Sequence, residues 1–244
     1  MIHKIFFTII LLFLFSCSDK TEKKKVEFYY NESLKELKKG NYFSAIDNLE
    51  IIESDHPYSN YSVKAEILNA FINYINKDYD LAISAAEKFI KLRPANKYVD
   101  YMYFLRAEAY YVSRSDYLRE QNSSMSARKS FLQLISRFSK KKYTPYSIEK
   151  LTEINNELAN YNLDIGRTHL KRGEYIPALK RFENILIEYK KTKYSKEASF
   201  RLVETYFALG LIEQAKYHAE ILAAQTTESF WQLKSVEFSK LYLN

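Results

Sequence analysis

Five recurring alanines constrain this chain more than any other feature. Gly40-Asn41-Tyr42-Phe43-Ser44-Ala45, Gly173-Glu174-Tyr175-Ile176-Pro177-Ala178 and Gly210-Leu211-Ile212-Glu213-Gln214-Ala215 share one pattern: glycine, any residue, Tyr or Ile, two further residues, alanine. Lys77-Asp78-Tyr79-Asp80-Leu81-Ala82 repeats it without the glycine, and a weaker copy ends at Ala127. Ala45 to Ala82 and Ala178 to Ala215 are both 37 residues, whereas the middle intervals of 45 and 51 carry inserted chain. Four residues after the alanines stand Leu49, Ala86, Phe131, Phe182 and Ala219, and seven after stand Ile52, Phe89, Leu134, Ile185 and Leu222. That spacing places each set on one face of a helix.

A second helix precedes each alanine helix. Twelve residues before the alanines are Ser33, Ala70, Gly166 and Val203, mostly small, and eight before are Leu37, Tyr74, Leu170 and Phe207. A small residue on one helix and an alanine on the next let two backbones approach closely. The intervening glycine supplies the left-handed turn at a helix end. Pro57 and Pro94 follow the first two alanines by twelve residues and stop the second helix, because proline lacks the donor needed to continue it. This pattern resembles the tetratricopeptide repeat. Only four glycines and four prolines occur in 244 residues, which argues against a turn-rich β protein. The expected fold is all-α: a solenoid of about five tetratricopeptide-like hairpins with a C-terminal capping helix. Helices are predicted near 27–39, 43–55, 60–75, 79–92, 98–115, 124–138, 147–171, 175–189, 195–209, 212–224 and 229–242, with a polar loop over 113–124.

The N-terminus reads as a targeting segment. Lys4 precedes Ile5–Phe15, eleven residues that are apolar except for Thr8. A membrane-crossing helix needs about 20 such residues, so this is the length of a signal-peptide core. Leu14-Phe15-Ser16-Cys17 resembles a bacterial lipobox. Residues 1–16 are expected to be removed and Cys17, the single cysteine of the chain, to carry lipid. Ser18 in place of Asp favours the outer membrane under the usual enterobacterial sorting rule. Residues 17–26 then form the lipidated cysteine and a polar, Lys-rich tether. The net charge of +7 is spread along helices, and export argues against nucleic acid as a partner.

No residue set calls for catalysis, a cofactor or a metal. His56, His169 and His218 lie far apart in sequence with no partner at ligand spacing, and no two glycines lie closer than seven residues. A stack of helical hairpins presents a groove lined mainly by the first helix of each pair, suited to peptide segments. Tyr29, Tyr74, Tyr101, Tyr103, Tyr110 and Tyr111 are candidates to line it, and Tyr74, Tyr101 and Tyr103 are the expected substrate-peptide site.

Together, the lipobox, the short tether and the stretches Gly40–Ala45, Pro57–Tyr61, Ala82–Pro94, Val99–Arg106, Ala127–Phe131 and Leu170–Ala178 resemble the BamD family of outer-membrane lipoproteins. The match departs at Ser139 and Lys190, where the family's later repeats carry proline, and at Tyr161-Asn162, where it carries His and Glu. The resemblance implies a non-enzymatic scaffold of the outer-membrane β-barrel assembly complex, anchored by lipid at the periplasmic face of the outer membrane. It implies that the N-terminal repeats, 27–138, receive unfolded outer-membrane proteins. The C-terminal repeats, 139–244, would bind the periplasmic domain of the barrel-forming subunit, and other lipoproteins of the complex are further partners. An arginine three residues after the fourth repeat's alanine pairs with an acid on that subunit, and Arg181 stands there. The alternative is another tetratricopeptide-type periplasmic lipoprotein docking a pilus secretin, a protease or cell-wall enzymes.

Overall fold

The computed structural model describes residues 25–114, 121–224 and 229–243. Among these residues there are eleven α-helices and no strand. They are α1 (Val26–Lys38), α2 (Tyr42–Asp55), α3 (Ser62–Ile75), α4 (Tyr79–Leu92), α5 (Val99–Val112) and α6 (Gln121–Arg137). Then follow α7 (Thr144–Lys171), α8 (Tyr175–Glu188), α9 (Ser195–Ala208), α10 (Ile212–Ala223) and α11 (Phe230–Tyr242). The all-α expectation holds, and the predicted bounds agree within about a turn. The helix α6 begins earlier than expected, at Gln121 rather than Ser124, with Asn122, Ser123 and Ser124 in its first turn. The signal segment, Cys17 and most of the tether lie outside the described residues.

The chain divides into two compact units, Met1–Ile72 and Asn73–Asn244. In the first, α1 and α2 form a hairpin whose core is Ala45, Leu49 and Ile52, all fully buried. Ser33 faces them from α1, also fully buried, and Ala65 and Ile72 of α3 complete the cluster. In the second unit, consecutive helices pack in sequence order from α4 through α11, with α9 also touching α11 and α7 touching α9. That order is the solenoid arrangement, each element packing on its chain neighbours. Cap helix α11 closes it through Trp231 and Phe238 against Phe200, and through Leu243 beside Val203 and Ala215.

The alanine ladder is the core. Ala45, Ala82, Ala127, Ala178 and Ala215 have no exposed surface at all. Their partners four and seven residues on, from Ala86 and Phe89 to Phe182 and Ile185, are buried in the same register. At Gly166 the approach of α7 to α8 is so close that a Cβ would stand 2.5 Å from the Phe182 ring. The turn glycines also do what the pattern requires: Gly40, Gly173 and Gly210 adopt φ of +79°, +75° and +74°.

In the middle of the second unit the repeat is stretched. The interval from Ala127 to Ala178 exceeds 37 by fourteen residues, and α7, at 28 residues, is fourteen longer than α5 or α9. Fourteen residues make about four helical turns, so the added length preserves the facing of the apolar stripe. Pro145 occupies the first turn of α7, where its missing donor is harmless.

Lys77 marks the copy of the turn that lacks glycine, and it alone among the described non-glycine residues has positive φ, at 68°. An L side chain is strained in that region. Lys77→Gly is expected to raise stability by about 0.5–1 kcal/mol. The expected outcome is a higher denaturation midpoint with unchanged slope in a urea titration of the mature protein.

Candidate functional site

The first helices of the second unit's hairpins carry a band of aromatic and charged side chains. Tyr101 on α5 lies 5.9 Å from Tyr143, and Phe104 stacks on Tyr143 at 4.5 Å with planes 15° apart. Tyr146, one turn into α7, meets Phe104 edge-on at 5.7 Å. Aromatic pairs at these separations add to the stabilisation from burial alone. Burial pushes the Tyr101 phenol up to about 12, helped by Tyr143 and Tyr74 nearby. Tyr74, at the end of α3, packs on Tyr79 at 6.0 Å, and burial raises its phenol too. Tyr74 and Tyr101 are therefore neighbours, half-buried in one aromatic band.

Charged groups continue the band along α5 and α7. Tyr111 donates its hydroxyl to Glu153 at 2.6 Å, while Lys150 lies 3.0 Å from the same carboxylate. Arg114 pairs with Glu157 at 2.7 Å and lies 4.0 Å over the Tyr111 ring. Glu108 is the buried acid of the band, 7% exposed. Tyr146 donates to its Oε2 at 3.2 Å, but its buried Oε1 has no hydrogen-bond partner. Burial dominates and raises its carboxyl pKa, against the opposing pull of the Tyr146 hydrogen bond, Lys150 and Arg114.

Tyr103 does not join Tyr74 and Tyr101. Two residues on a helix are about 200° apart, so Tyr101 and Tyr103 leave α5 on opposite sides. Tyr103 packs edge-on against Phe138 at 5.4 Å, with the guanidinium groups of Arg106 and Arg137 at 5.0 and 5.6 Å over its ring. There it lines a cavity of about 880 Å³ between α6 and α8. The other tyrosines proposed from sequence divide as well. Tyr110 packs with Tyr74 around Ala82, and Tyr29, in the first unit, stands edge-on to Phe28 at 5.7 Å.

Arg181 projects from α8 beside Asn162, which is 6% exposed, and donates to its Oδ1 at 3.2 Å. Asn162 is held in turn by its Nδ2 donating to the Leu158 carbonyl at 2.8 Å. The pocket here, about 470 Å³, is lined by Asn162, His169, Ile176, Pro177, Lys180, Arg181 and Asn184. No acid lines it, and Arg181 makes no ion pair among the described residues. Most other arginines of the unit do: Arg106 with Glu87, Arg114 with Glu157, Arg128 with Glu188, Arg167 with Glu197 and Arg201 with Glu204. Asn162 thus orients the Arg181 charge without neutralising it.

Two of the histidines serve packing and local pairing. His169 lies 2.5 Å from Glu174 across the α7–α8 turn, and His218 stacks on Tyr206 at 5.0 Å. Sequence reasoning missed Asn162, Phe104, Tyr143 and Tyr146; the three-residue spacing of the two tyrosines at the start of α7 was the available signal.

Glu108 yields a pH prediction. Its folded pKa lies above the unfolded one, so its penalty is absent at low pH. The penalty sets in as pH rises past the usual carboxylate value, and is complete above the folded pKa. Glu108→Gln is therefore expected to raise the melting temperature at pH 7 and to leave it nearly unchanged near pH 4. Thermal melts at both values check it.

The family described as "YfiO: Outer membrane lipoprotein" matches residues 21–221. The outer membrane protein assembly factor BamD of Rickettsia prowazekii (strain Madrid E) is 32% identical over 240 residues, covering 97% of this chain and 96% of that protein. The BamD of Caulobacter vibrioides is 30% identical over 210 residues, covering 86% of this chain and 69% of that protein. The BamD of Neisseria meningitidis serogroup A is 29% identical over 200 residues, covering 78% and 75%. A match that spans the ladder from α1 through Ala215, at this identity and coverage, places the chain in the YfiO family of outer-membrane lipoproteins, to which it belongs together with these BamD assembly factors.

Proposed function

We propose that this chain is a non-enzymatic scaffold subunit of the outer-membrane β-barrel assembly complex, held at the periplasmic face of the outer membrane by lipid on Cys17. The relatives named as assembly factors support the role, and none of them favours the alternative of a lipoprotein docking a pilus secretin, a protease or cell-wall enzymes. In this reading the repeats over 27–138 receive unfolded outer-membrane proteins, with Tyr74 and Tyr101 on the receiving surface. The repeats over 139–244 hold the periplasmic domain of the barrel-forming subunit and further lipoproteins of the complex. Tyr103 packs on the α6–α8 side, apart from Tyr74 and Tyr101, and we assign it no part in that surface.

Arg181 carries the docking argument. It is a half-buried guanidinium, fixed by a buried amide and left without a carboxylate among the described residues. A cation presented this way gains most from an acid delivered by a partner, because the pair is desolvated as the interface closes. Lys180 beside it reinforces the sign, and the exposed Ile176 supplies apolar contact. Arg181→Glu should reduce co-purification of the barrel-forming subunit by at least about tenfold while the circular dichroism spectrum is unchanged. Co-purification at the native level would refute the docking site.

Anchoring is tested separately. A multiply acylated cysteine binds a bilayer by about 0.8 kcal/mol per buried methylene, which no single exposed patch replaces. Cys17→Ser is expected to abolish incorporation of radiolabelled palmitate and to release the chain from the outer-membrane fraction.

A further inference from the structure

The cap helix leaves an apolar row uncovered. One side of α11 faces the second unit: Gln232 and Ser235 are buried, and Trp231 and Phe238 pack against Phe200 of α9. The other side carries Phe230, Leu233 and Leu241, which are 61%, 61% and 67% exposed. Lys234, Glu237 and Lys240 are exposed there too. At about 100° per residue, these six side chains fall within about 120° of the helix circumference, with Glu237 at the centre of the arc. The buried Gln232 and Ser235 lie on the far side from it. A repeat array ordinarily ends in a polar outer surface, which keeps its end soluble. Here half of that surface is apolar, and the apolar groups form a contiguous row rather than single exposed residues.

The charges in the row select what covers it. Lys234 lies 5.3 Å over the Phe230 ring. Neither Lys234 nor Glu237 makes an ion pair among the described residues. A second α11 laid antiparallel on the first, with a two-fold axis between residues 235 and 236, sets Lys234 of each copy opposite Glu237 of the other. The same axis sets Phe230 of each copy opposite Leu241 of the other. Self-complementarity of this kind is what a two-fold interface requires, because one surface must serve as its own partner. A bilayer suits the row less well. Phe and Leu flanked by lysines are common on interfacial helices, but Glu237 stands in the middle of the row and would be pressed toward the acyl chains without a counter-charge.

We propose that this face of α11 pairs with the same face of a second copy of the chain, as an antiparallel two-fold helix pair. A single short helix face buries less than the roughly 800 Å² per partner of a standard interface, so the expected affinity is micromolar. Under the lipid-anchored reading above, two copies held in one membrane would meet at a raised effective concentration. The pairing itself does not rest on that reading, and the row includes no residue of the Arg181 pocket.

The test is sedimentation velocity on the chain from residue 17 to 244 carrying Cys17→Ser, without detergent, over about 1–200 µM. A monomer–dimer equilibrium is expected. Lys234→Glu and Glu237→Lys each set like charges opposite one another and should weaken the dimer by at least about tenfold. An equimolar mixture of these two variants restores opposite charges at both contacts and should dimerise within about threefold of native. Leu233→Asp should abolish the dimer. All three positions are exposed, and an unchanged circular dichroism melt checks that the variants are folded. A chain that stays monomeric over the whole range overturns the proposal. So does a dimer that the single charge reversals weaken less than twofold, or a mixture of the two that stays monomeric. Binding of the same chain to phosphatidylglycerol vesicles, lost in Leu233→Asp, would assign the row to a bilayer and overturn it equally.

Discussion

Close approach between paired helices is the constraint on which this protein rests. It is created by what is missing: side-chain bulk at the alanines and at the small residues facing them. With Ala45, Ala82, Ala127, Ala178 and Ala215 wholly buried, the larger residues a turn further on can reach across and fill the layer between hairpins. The Phe182 ring fits against Gly166 because no Cβ competes for the space. Interiors are packed nearly as densely as organic crystals, so a methyl added at such a contact displaces a helix rather than filling a void.

Charge is distributed by a different rule from apolar packing. The arginines that bridge helices mostly find carboxylates: Arg114 ties α5 to α7, Arg128 ties α6 to α8, and Arg167 ties α7 to α9. These partly buried pairs leave few arginine charges unspent on the flanks of the solenoid. Against that background Arg181, held by Asn162 and without a carboxylate among the described residues, marks a place where positive charge is turned outward. The aromatic band is a third environment, where phenols of raised pKa stay protonated and serve as donors, as Tyr146 does to Glu108.

The ladder made the fold legible, because a 37-residue recurrence with buried register positions has few other physical solutions. It was less informative about surfaces. Tyr101 and Tyr103 share one helix and one residue type, yet their spacing alone places them on opposite sides. The 51-residue interval announces an insertion without saying that it is taken up as helix, in α7. Glu108 was invisible as a buried acid: its neighbours in sequence, Ala107 and Ala109, give no hint that Tyr146 would cover it. Asn162 acquires meaning only through Arg181, nineteen residues away.

The length of α7 has a consequence for how the protein comes apart. In a regular array of repeats each hairpin holds only its neighbours, and the array can melt from an end, one unit after another. Here a single helix is shared by α6, α8 and α9, so none of the three can detach without stripping a face of the same rod. The middle of the second unit is bound into one cooperative block, and fraying is confined to its two ends. A scaffold pulled on by partners at separate points gains from such a spine, since load applied at one hairpin is carried by three.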